Sequence, residues 1–459
     1  MYNVNINGVA HFANEGELLS DLLMRYGIEA PHPCSGRGVC KKCKVRVNGE
    51  EVLSCKYRID GDITVTLPPD RGLSLKTLSD CSYTSGAFTV LDIGTTTLIM
   101  ALVSKDGKIL KRVCATNPQS VFGADVISRI DQCEKHSINA LRDPLIRRIN
   151  DMIRAIGTTT EQMYVSANAT MLHIFANEDC SSIGKAPYKA KFLDLIKKSA
   201  SELGIHGIDK ITLLPSAHAF VGADILAGLA CTDTPPEGKY SLFLDLGTNA
   251  EIVLFSKDEA ICTAAAAGPC FEGSNIQCGM SALPGAICSF SSVGGERLME
   301  TVDGQAPIGI CATGLIDIIF ELLRLGEIDE CGYMDDNYYL SSDVYISPSD
   351  VRQLQLAKSA VHSAIESLMS VIGIDYRDIE SLYVSGGFAS KLSFTRAAAI
   401  GLIPKELVTK CIPIEDSCLM GTVKFALCGK LPFERADYCD LTEHKIFTEK
   451  FIENMSFDI

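Results

Sequence analysis

The 459 residues carry a formal charge of −15 and 47% hydrophobic side chains. Such a hydrophobic content supports a large core and excludes global disorder, while the acidic balance argues against a nucleic-acid partner, which needs clustered Lys and Arg. No apolar run approaches the ~20 residues that span a bilayer, so no membrane partner is expected.

The length allows two to four domains. Met1 leads into polar Tyr2-Asn3-Val4-Asn5, not a basic stretch followed by an apolar one. No signal peptide is therefore expected, and the expected location is cytoplasmic. Nineteen cysteines is a high count. Without a sign of export they are not read as disulfides. Four have cluster spacing; the others, such as Cys114, Cys231, Cys262 and Cys311, stand mostly beside apolar residues and read as small buried hydrophobes. Tolerance of so many thiols suits a reducing, anaerobic cell.

Residues 1–70 read as one compact unit. Asn7-Gly8 joins two short strands. Residues 15–26 have helical periodicity, with Leu18, Leu19, Leu22 and Leu23 on one side. A cysteine loop follows. Cys43 to Val47 then alternates as a strand, Asn48-Gly49 turns, and Ile63 to Leu67 forms a last strand. This order predicts a β-grasp ferredoxin domain. Residues 71–86, after Pro68-Pro69-Asp70-Arg71-Gly72, lack periodicity and read as a linker.

From Phe88 strands and helices alternate, and an internal echo appears. Val90 to Asp106 reads VLDIGTTTLIMALVSKD; Phe243 to Asp258 reads FLDLGTNAEIVLFSKD. Two copies of one hairpin imply two related subdomains, 87–235 and 236–430, divided at Asp233-Thr234-Pro235-Pro236-Glu237-Gly238. The periodic helix around 350–372 reads as core. The tail, 431–459, is polar and mixed, with no clear pattern.

Cys34, Cys40, Cys43 and Cys55 have the spacing C-x5-C-x2-C-x11-C, one residue longer in the first gap than the plant-type ferredoxin pattern. A [2Fe–2S] cluster needs four thiolates converging from a tight loop, and Gly36 and Gly38 let the backbone curl around the sulfurs. A zinc site or reactive thiols are the other readings. Zinc favours paired C-x2-C knuckles, and only one such pair is present. Arg37, Lys41 and Lys42 crowd the loop; they suit an acidic electron donor or simple solvation equally.

The Asp-x-Gly-Thr hairpins are strand–turn–strand, unlike a P-loop, which opens a helix. Gly94 and Gly247 permit the turn and a close approach of amides to phosphate oxygens. Thr95, Thr96, Thr97, Thr248 and Asn249 add side-chain donors. Asp92 and Asp245 stand at strand ends, where a carboxylate can hold hydrated Mg²⁺. The pattern predicts ATP binding. One such hairpin could be an ordinary glycine turn; the repeat is what that explanation leaves out. Gly386-Gly387, in Tyr383-Val384-Ser385-Gly386-Gly387-Phe388-Ala389, ends an apolar strand in a turn that can lie flat against an adenosine. His173, His218 and His362 fall in predicted helices and read as hydrogen-bonded core residues.

With these motifs the chain resembles the reductive activators of corrinoid proteins, in a short variant. Further matching segments are Phe122 to Arg129, Asn168-Ala169-Thr170-Met171 with His173, Val221 to Asp224, Ala266 to Gly273, Cys278-Gly279-Met280 and Gly314 to Asp317. The resemblance implies a two-subdomain actin-like (ribonuclease H-like) ATPase after the ferredoxin domain, an α+β and α/β chain. It implies ATP between the subdomains, with Asp92 and Asp245 catalytic, Gly94 to Thr97 and Gly247 to Asn249 on the phosphates, and Gly386 and Gly387 on the adenosine. It implies electron transfer from the cluster to the Co(II) corrinoid of a methyl-transfer protein, restoring Co(I), with an external electron donor. A homodimer is compatible with it. Larger relatives carry a further domain between the cluster and the ATPase, where this chain has only the linker. Competing readings are an activator of another low-potential enzyme, a non-catalytic carrier with an actin-like docking module, and a small-metabolite kinase.

Overall fold

The computed structural model describes residues 1–26, 28, 43–67, 73–78, 85–123 and 125–457. Cys34 and Cys40 lie outside the described residues. The chain divides into two units, 1–227 with 418–430 and 228–417 with 431–459.

The first unit begins with a five-stranded sheet. Asn7 and Gly8, both at positive φ, turn β1 (Tyr2–Ile6) into β2 (Val9–Ala13), as an Asn-Gly hairpin requires. Helix α1 (Leu19–Arg25) follows, then β3 (Lys44–Val47), β4 (Glu50–Leu53) and β5 (Ile63–Thr66). β5 pairs parallel with β1 and antiparallel with β3, giving the order β2-β1-β5-β3-β4. Leu19, Leu22 and Leu23 of α1 pack on Val4, Ile6, Val45, Val47 and Val65. This is a β-grasp sheet with its own core.

The segment expected to be a linker contributes a strand, β6 (Ser74–Thr77), antiparallel to β9 (Ile109–Thr116). All four of its side chains are exposed. It is held by backbone bonds to a sheet edge, so it has no apolar alternation to betray it.

β7 (Phe88–Ile93), β8 (Thr97–Val103) and β9 form an antiparallel meander. Helices α2 (Val126–His136) and α3 (Ile138–Ile156) follow. Leu141, Leu145, Ile149 and Ile153 recur every fourth residue on the buried side of α3. β10 (Thr160–Ala167) then pairs parallel with β7. After α4 (Ala169–Ala176) and the edge strand β11 (Ile196–Ser199), β12 (Ile208–Leu213) pairs parallel with β10. Across the middle of this sheet the order is β12-β10-β7-β8-β9.

The second unit repeats that order. β13 (Tyr240–Leu246), β14 (Ala250–Phe255) and β15 (Ala260–Ala265) form the meander. β16 (Ala286–Val293), β17 (Glu296–Thr301) and the short β18 (Gly309–Ile310) make a separate sheet beside α6 (Ala312–Leu325). A ribbon, β19 (Tyr338–Tyr339) with β20 (Tyr345–Ile346), leads to α7 (Pro348–Ile372). Ser347 and Asp350 form a capping box at the start of α7, with Pro348 in its first turn. β21 (Ile379–Ser385) pairs parallel with β13, and β22 (Cys411–Pro413) with β21. The resulting order, β22-β21-β13-β14-β15, matches that of the first unit. Helix α8 (Phe394–Ala399) lies between these last two strands in the chain.

Helix α9 (Ser417–Cys428) follows β22, within the span 236–430 expected to form one subdomain. From Cys418 it belongs to the first unit. There its Leu419 and Val423 pack on Phe88 and Val90. The tail also gains structure. α10 (Lys445–Glu453) lies on α7 and is followed by buried Phe457. Gln355 donates to Met455 O (2.9 Å), Lys358 to Ser456 O, and Asn454 to Glu366 (2.9 Å). Polar strapping of this kind leaves little hydrophobic signature in sequence. Among the described residues no helix is long and apolar enough to cross a membrane.

Gly314 in α6 shows how tightly helix and sheet approach. A Cβ there would lie 2.1 Å from Ile287 O of β16. Gly314→Ala is expected to push α6 off the sheet at a cost of about 1–3 kcal/mol, lowering the thermal unfolding midpoint by several degrees. An unchanged midpoint would refute the close packing.

Candidate functional site

Cys43 and Cys55 flank the β3–β4 hairpin. Lys44 pairs with Leu53, and Ser54 N donates to Cys43 O at 2.9 Å. The hairpin thus carries the two cysteines to one end. Their sulfurs stand 3.2 Å apart, buried and not joined in a disulfide. Two thiols held this close fit neighbouring ligands of one iron.

In the first unit the Asp92 and Gly94–Thr97 hairpin lies at the carboxyl end of β7. Asn117 clamps the turn: its Nδ2 donates to Gly94 O at 2.8 Å and its backbone N to Thr96 O at 2.9 Å. Arg129, fully buried, donates to the carbonyls of Thr95 and Gly123 and to Gln119 Oε1. The turn therefore sits over a buried positive charge. Thr96 and Thr97 are exposed, and Asp92, Gly94 and Thr95 half-buried. Asp125 caps α2 by accepting from Ser128 N at 2.8 Å, so its place in the Gly-Ala-Asp segment is explained by helix geometry.

In the second unit the equivalent turn is Gly247-Thr248-Asn249. Gly247 N donates to Asn249 O at 3.0 Å, and Thr248 Oγ1 donates to Glu272 Oε1 at 2.6 Å. Gly386 lies against this hairpin at φ +111°, where a Cβ would be 2.3 Å from Leu246 O. The fold thus brings a glycine pair 140 positions distant in sequence onto the end of β13. Gly387 is exposed with open space on its side-chain face. Burial pushes the Asp245 carboxyl up to about 6, and a hydrogen bond from the Ser385 hydroxyl partly offsets the rise.

Each aspartate has a serine as its parallel neighbour. Asp92 stands beside Ser166 of β10, and Asp245 beside Ser385 of β21. Sequence reading missed Ser166, although Tyr164-Val165-Ser166 repeats as Tyr383-Val384-Ser385. It also missed Asn117, which no spacing marks, and gave Glu272 no individual role within the matching segment Ala266 to Gly273. The histidines are structural. His173 takes Lys191 N at 3.0 Å on Nε2, with Nδ1 2.6 Å from Ala169 O, and burial lowers its pKa. His362 lies 3.0 Å from Gly401 O. His218 sits in a bend, not a helix, because the chain must turn there before α5 (Ala223–Leu229).

Residues 4–65 match the 2Fe–2S iron–sulfur cluster binding domain, 88–234 the RACo middle region, and 239–458 the C-terminal domain of RACo, the ASKHA domain. The chain is 26% identical to the corrinoid activation enzyme RamQ of Eubacterium limosum, covering 97% of both proteins. That alignment runs over 576 positions, more than the 459 residues here, so parts of RamQ have no counterpart in this chain. It is 26% identical to the [Co(II) methylated amine-specific corrinoid protein] reductase of Methanosarcina barkeri, over 77% of this chain and 71% of that protein. A solved reductive activator for corrinoid, iron–sulfur protein shares the fold, with a TM-score of 0.70 and 24% identity, over 100% of this chain and 98% of that one.

The Asp245 environment has a consequence for stability. Its pKa is raised from the model-peptide value of 3.8 to about 6, so the folded state holds the proton more tightly than the unfolded one. Stability contributed this way is present at acid pH and declines as pH rises from about 4 to about 6. Without nucleotide or divalent cation, Asp245→Asn should match wild type near pH 4 and exceed it at pH 7.5 by about 1–2 kcal/mol. Denaturant unfolding at both pH values reads this directly; a variant less stable at pH 7.5 would refute it.

Proposed function

We propose that this chain, which belongs to the family of reductive activators of corrinoid proteins, uses ATP hydrolysis to return the Co(II) corrinoid of a methyl-transfer protein to Co(I). The observation that carries the reading is the pairing of converging thiols on a β-grasp hairpin with two Asp-x-Gly-Thr hairpins in one polypeptide.

Cys34, Cys40, Cys43 and Cys55 would hold the [2Fe–2S] cluster, which when bound supplies a one-electron carrier near −400 mV in plant-type sites. Co(I) demands a lower potential, and each ~59 mV of mismatch costs a factor of ten for one electron. ATP offsets that mismatch. Nucleotide can do so only by differential affinity for two states of the complex with the corrinoid protein.

The residues of the ATPase act by positioning and charge neutralisation, which dominate phosphoryl transfer. Gly94, Thr95, Thr96 and Thr97 would take phosphate oxygens above buried Arg129, and Gly247, Thr248 and Asn249 would do the same in the second unit. Asp92 and Asp245 would hold hydrated Mg²⁺ and the attacking water; a nearby divalent cation also favours the ionised form of Asp245. Gly386, which admits no side chain, and open Gly387 would lie against the adenosine. An external donor would reload the cluster, and basic Arg37, Lys41 and Lys42 suit an acidic one. A homodimer is compatible with this scheme. We place the protein in the cytoplasm, whose reducing thiol pool suits nineteen cysteines.

The test uses the holoprotein, a Co(II) corrinoid protein and a chemical reductant. Co(I) absorbance should appear with MgATP and fall well short of that yield without it. Equal yields in both arms would sink the coupling. Asp92→Ala should abolish ATP turnover and leave the visible absorption of the cluster intact, whereas Cys43→Ser or Cys55→Ser should diminish that absorption.

A further inference from the structure

The two aspartates are tied to consecutive residues at the head of one helix. Ser417 opens α9 as the last residue of its segment in the second unit, and Cys418 is the first residue of the returning segment of the first unit. Ser417 Oγ lies 2.6 Å from Ser385 Oγ, and Ser385 hydrogen-bonds the Asp245 carboxyl. Cys418, buried, lies with its Sγ 3.0 Å from Ser166 Oγ and hydrogen-bonds the Asp92 carboxyl. Ser166, the register neighbour of Asp92, also lies 2.6 Å from Thr422 Oγ1, and Thr422 donates to Cys418 O at 2.7 Å. The two units share the parts but not the wiring: each has an aspartate, a serine on the parallel neighbour and a side chain of the α9 head, and the α9 side chain reaches Asp245 through Ser385 but Asp92 directly.

We propose that Ser417 and Cys418 are positioning residues of the ATPase, and that this dipeptide sets the orientation of Asp245 and Asp92 together. The inference rests on the proposed ATPase reading. A thiol has one hydrogen to give. Given to Asp92, it fixes one carboxylate oxygen and leaves the other for hydrated metal or water. Ser417, by donating to Ser385, frees the Ser385 hydrogen for Asp245. One peptide bond separates the two donors, so displacement of the α9 head disturbs both carboxylates at once. Neither residue reaches a reacting atom on this scheme; both act through a carboxylate.

The experiment measures MgATP hydrolysis by the holoprotein for Cys418→Ala, Ser417→Ala and the double variant. Loss of an outer-shell support of this kind typically lowers activity about 10- to 100-fold. The fall is expected in kcat, with KM for MgATP changed less than about threefold, because the phosphate donors of the turns are untouched. Cys418→Ser and Ser417→Thr, which keep a donor, should recover most of the loss. The double variant should lose less than the product of the single losses, as residues acting as one unit do. Cluster absorption and the thermal midpoint report folding. Should Cys418→Ala not fold, Cys418→Val fills the volume without a donor and carries the same expectation. Wild-type kcat in both alanine variants, alongside an inactive Asp92→Asn, overturns the positioning role and leaves the ATPase reading standing. A rise in KM with kcat unchanged overturns it too. Absence of ATP hydrolysis in the wild-type protein would instead count against the ATPase reading itself.

Discussion

A carboxylate at the carboxyl end of a central strand loses water on folding and must recover donors from the protein. Both halves place a serine beside the carboxylate, although the donor is Ser385 for Asp245 and Cys418 for Asp92. The strand carrying the aspartate is flanked on its parallel side by a strand carrying serine in register, Ser166 beside Asp92 and Ser385 beside Asp245. Parallel pairing makes this possible, because the two strand ends then open in the same direction. An antiparallel neighbour would present its amino end there instead. The shared order β12-β10-β7-β8-β9 and β22-β21-β13-β14-β15 is thus the means by which each carboxylate meets its serine. The antiparallel partner on the other side supplies the turn. In both units the tight turn comes immediately after the aspartate strand, which sets backbone amides and the carboxylate on one edge.

The cluster domain solves a smaller problem by the same means. Thiolates must converge, yet the residues bearing them are twelve apart in sequence. The β3–β4 hairpin closes that distance by placing Cys43 just before one strand and Cys55 just after the other. Convergence of the sulfurs follows from hairpin register, and the core of α1 against β1, β3 and β5 keeps the hairpin in place.

Legibility in the sequence divided along physical lines. The Asn7-Gly8 hairpin, the long α7 and the two Asp-x-Gly-Thr turns were readable, because turn chemistry and apolar periodicity are local signals. β6 was not, since its four exposed side chains carry no pattern and only backbone bonds to β9 hold it. α10 was not, since only Phe447 and Phe451 pack on the core and polar bonds such as Asn454 to Glu366 complete its attachment to α7. The packing of α9 on Phe88 and Val90 was not readable either, because chain order says nothing about which sheet an apolar helix face will choose. Arg129 was visible in a matching segment without a role; its function as a buried anchor of the first turn depends on carbonyls that only tertiary structure brings to it. The repeated Tyr-Val-Ser was available but short, and it acquires meaning only when the register sets each serine beside an aspartate.

The chain passes between its two units at three places: within α5 at Ala227-Gly228, at the head of α9 at Ser417-Cys418, and at Lys430-Leu431, and the first two involve helices. These two crossings differ in chemistry. Ala227 and Gly228 offer no side-chain donor, and Gly228 leaves only space for the Phe243 ring, which a Cβ would approach to 2.6 Å. Ser417 and Cys418 each carry a hydrogen-bonding group directed toward a serine that neighbours an aspartate. A bound ligand shifts an equilibrium only through groups whose interactions differ between states. By that criterion α5 is a passive connection. The α9 crossing, by contrast, carries on adjacent residues the hydroxyl that bonds Ser385 and the thiol beside Ser166, so its side chains differ from those of α5 in being able to exchange hydrogen bonds.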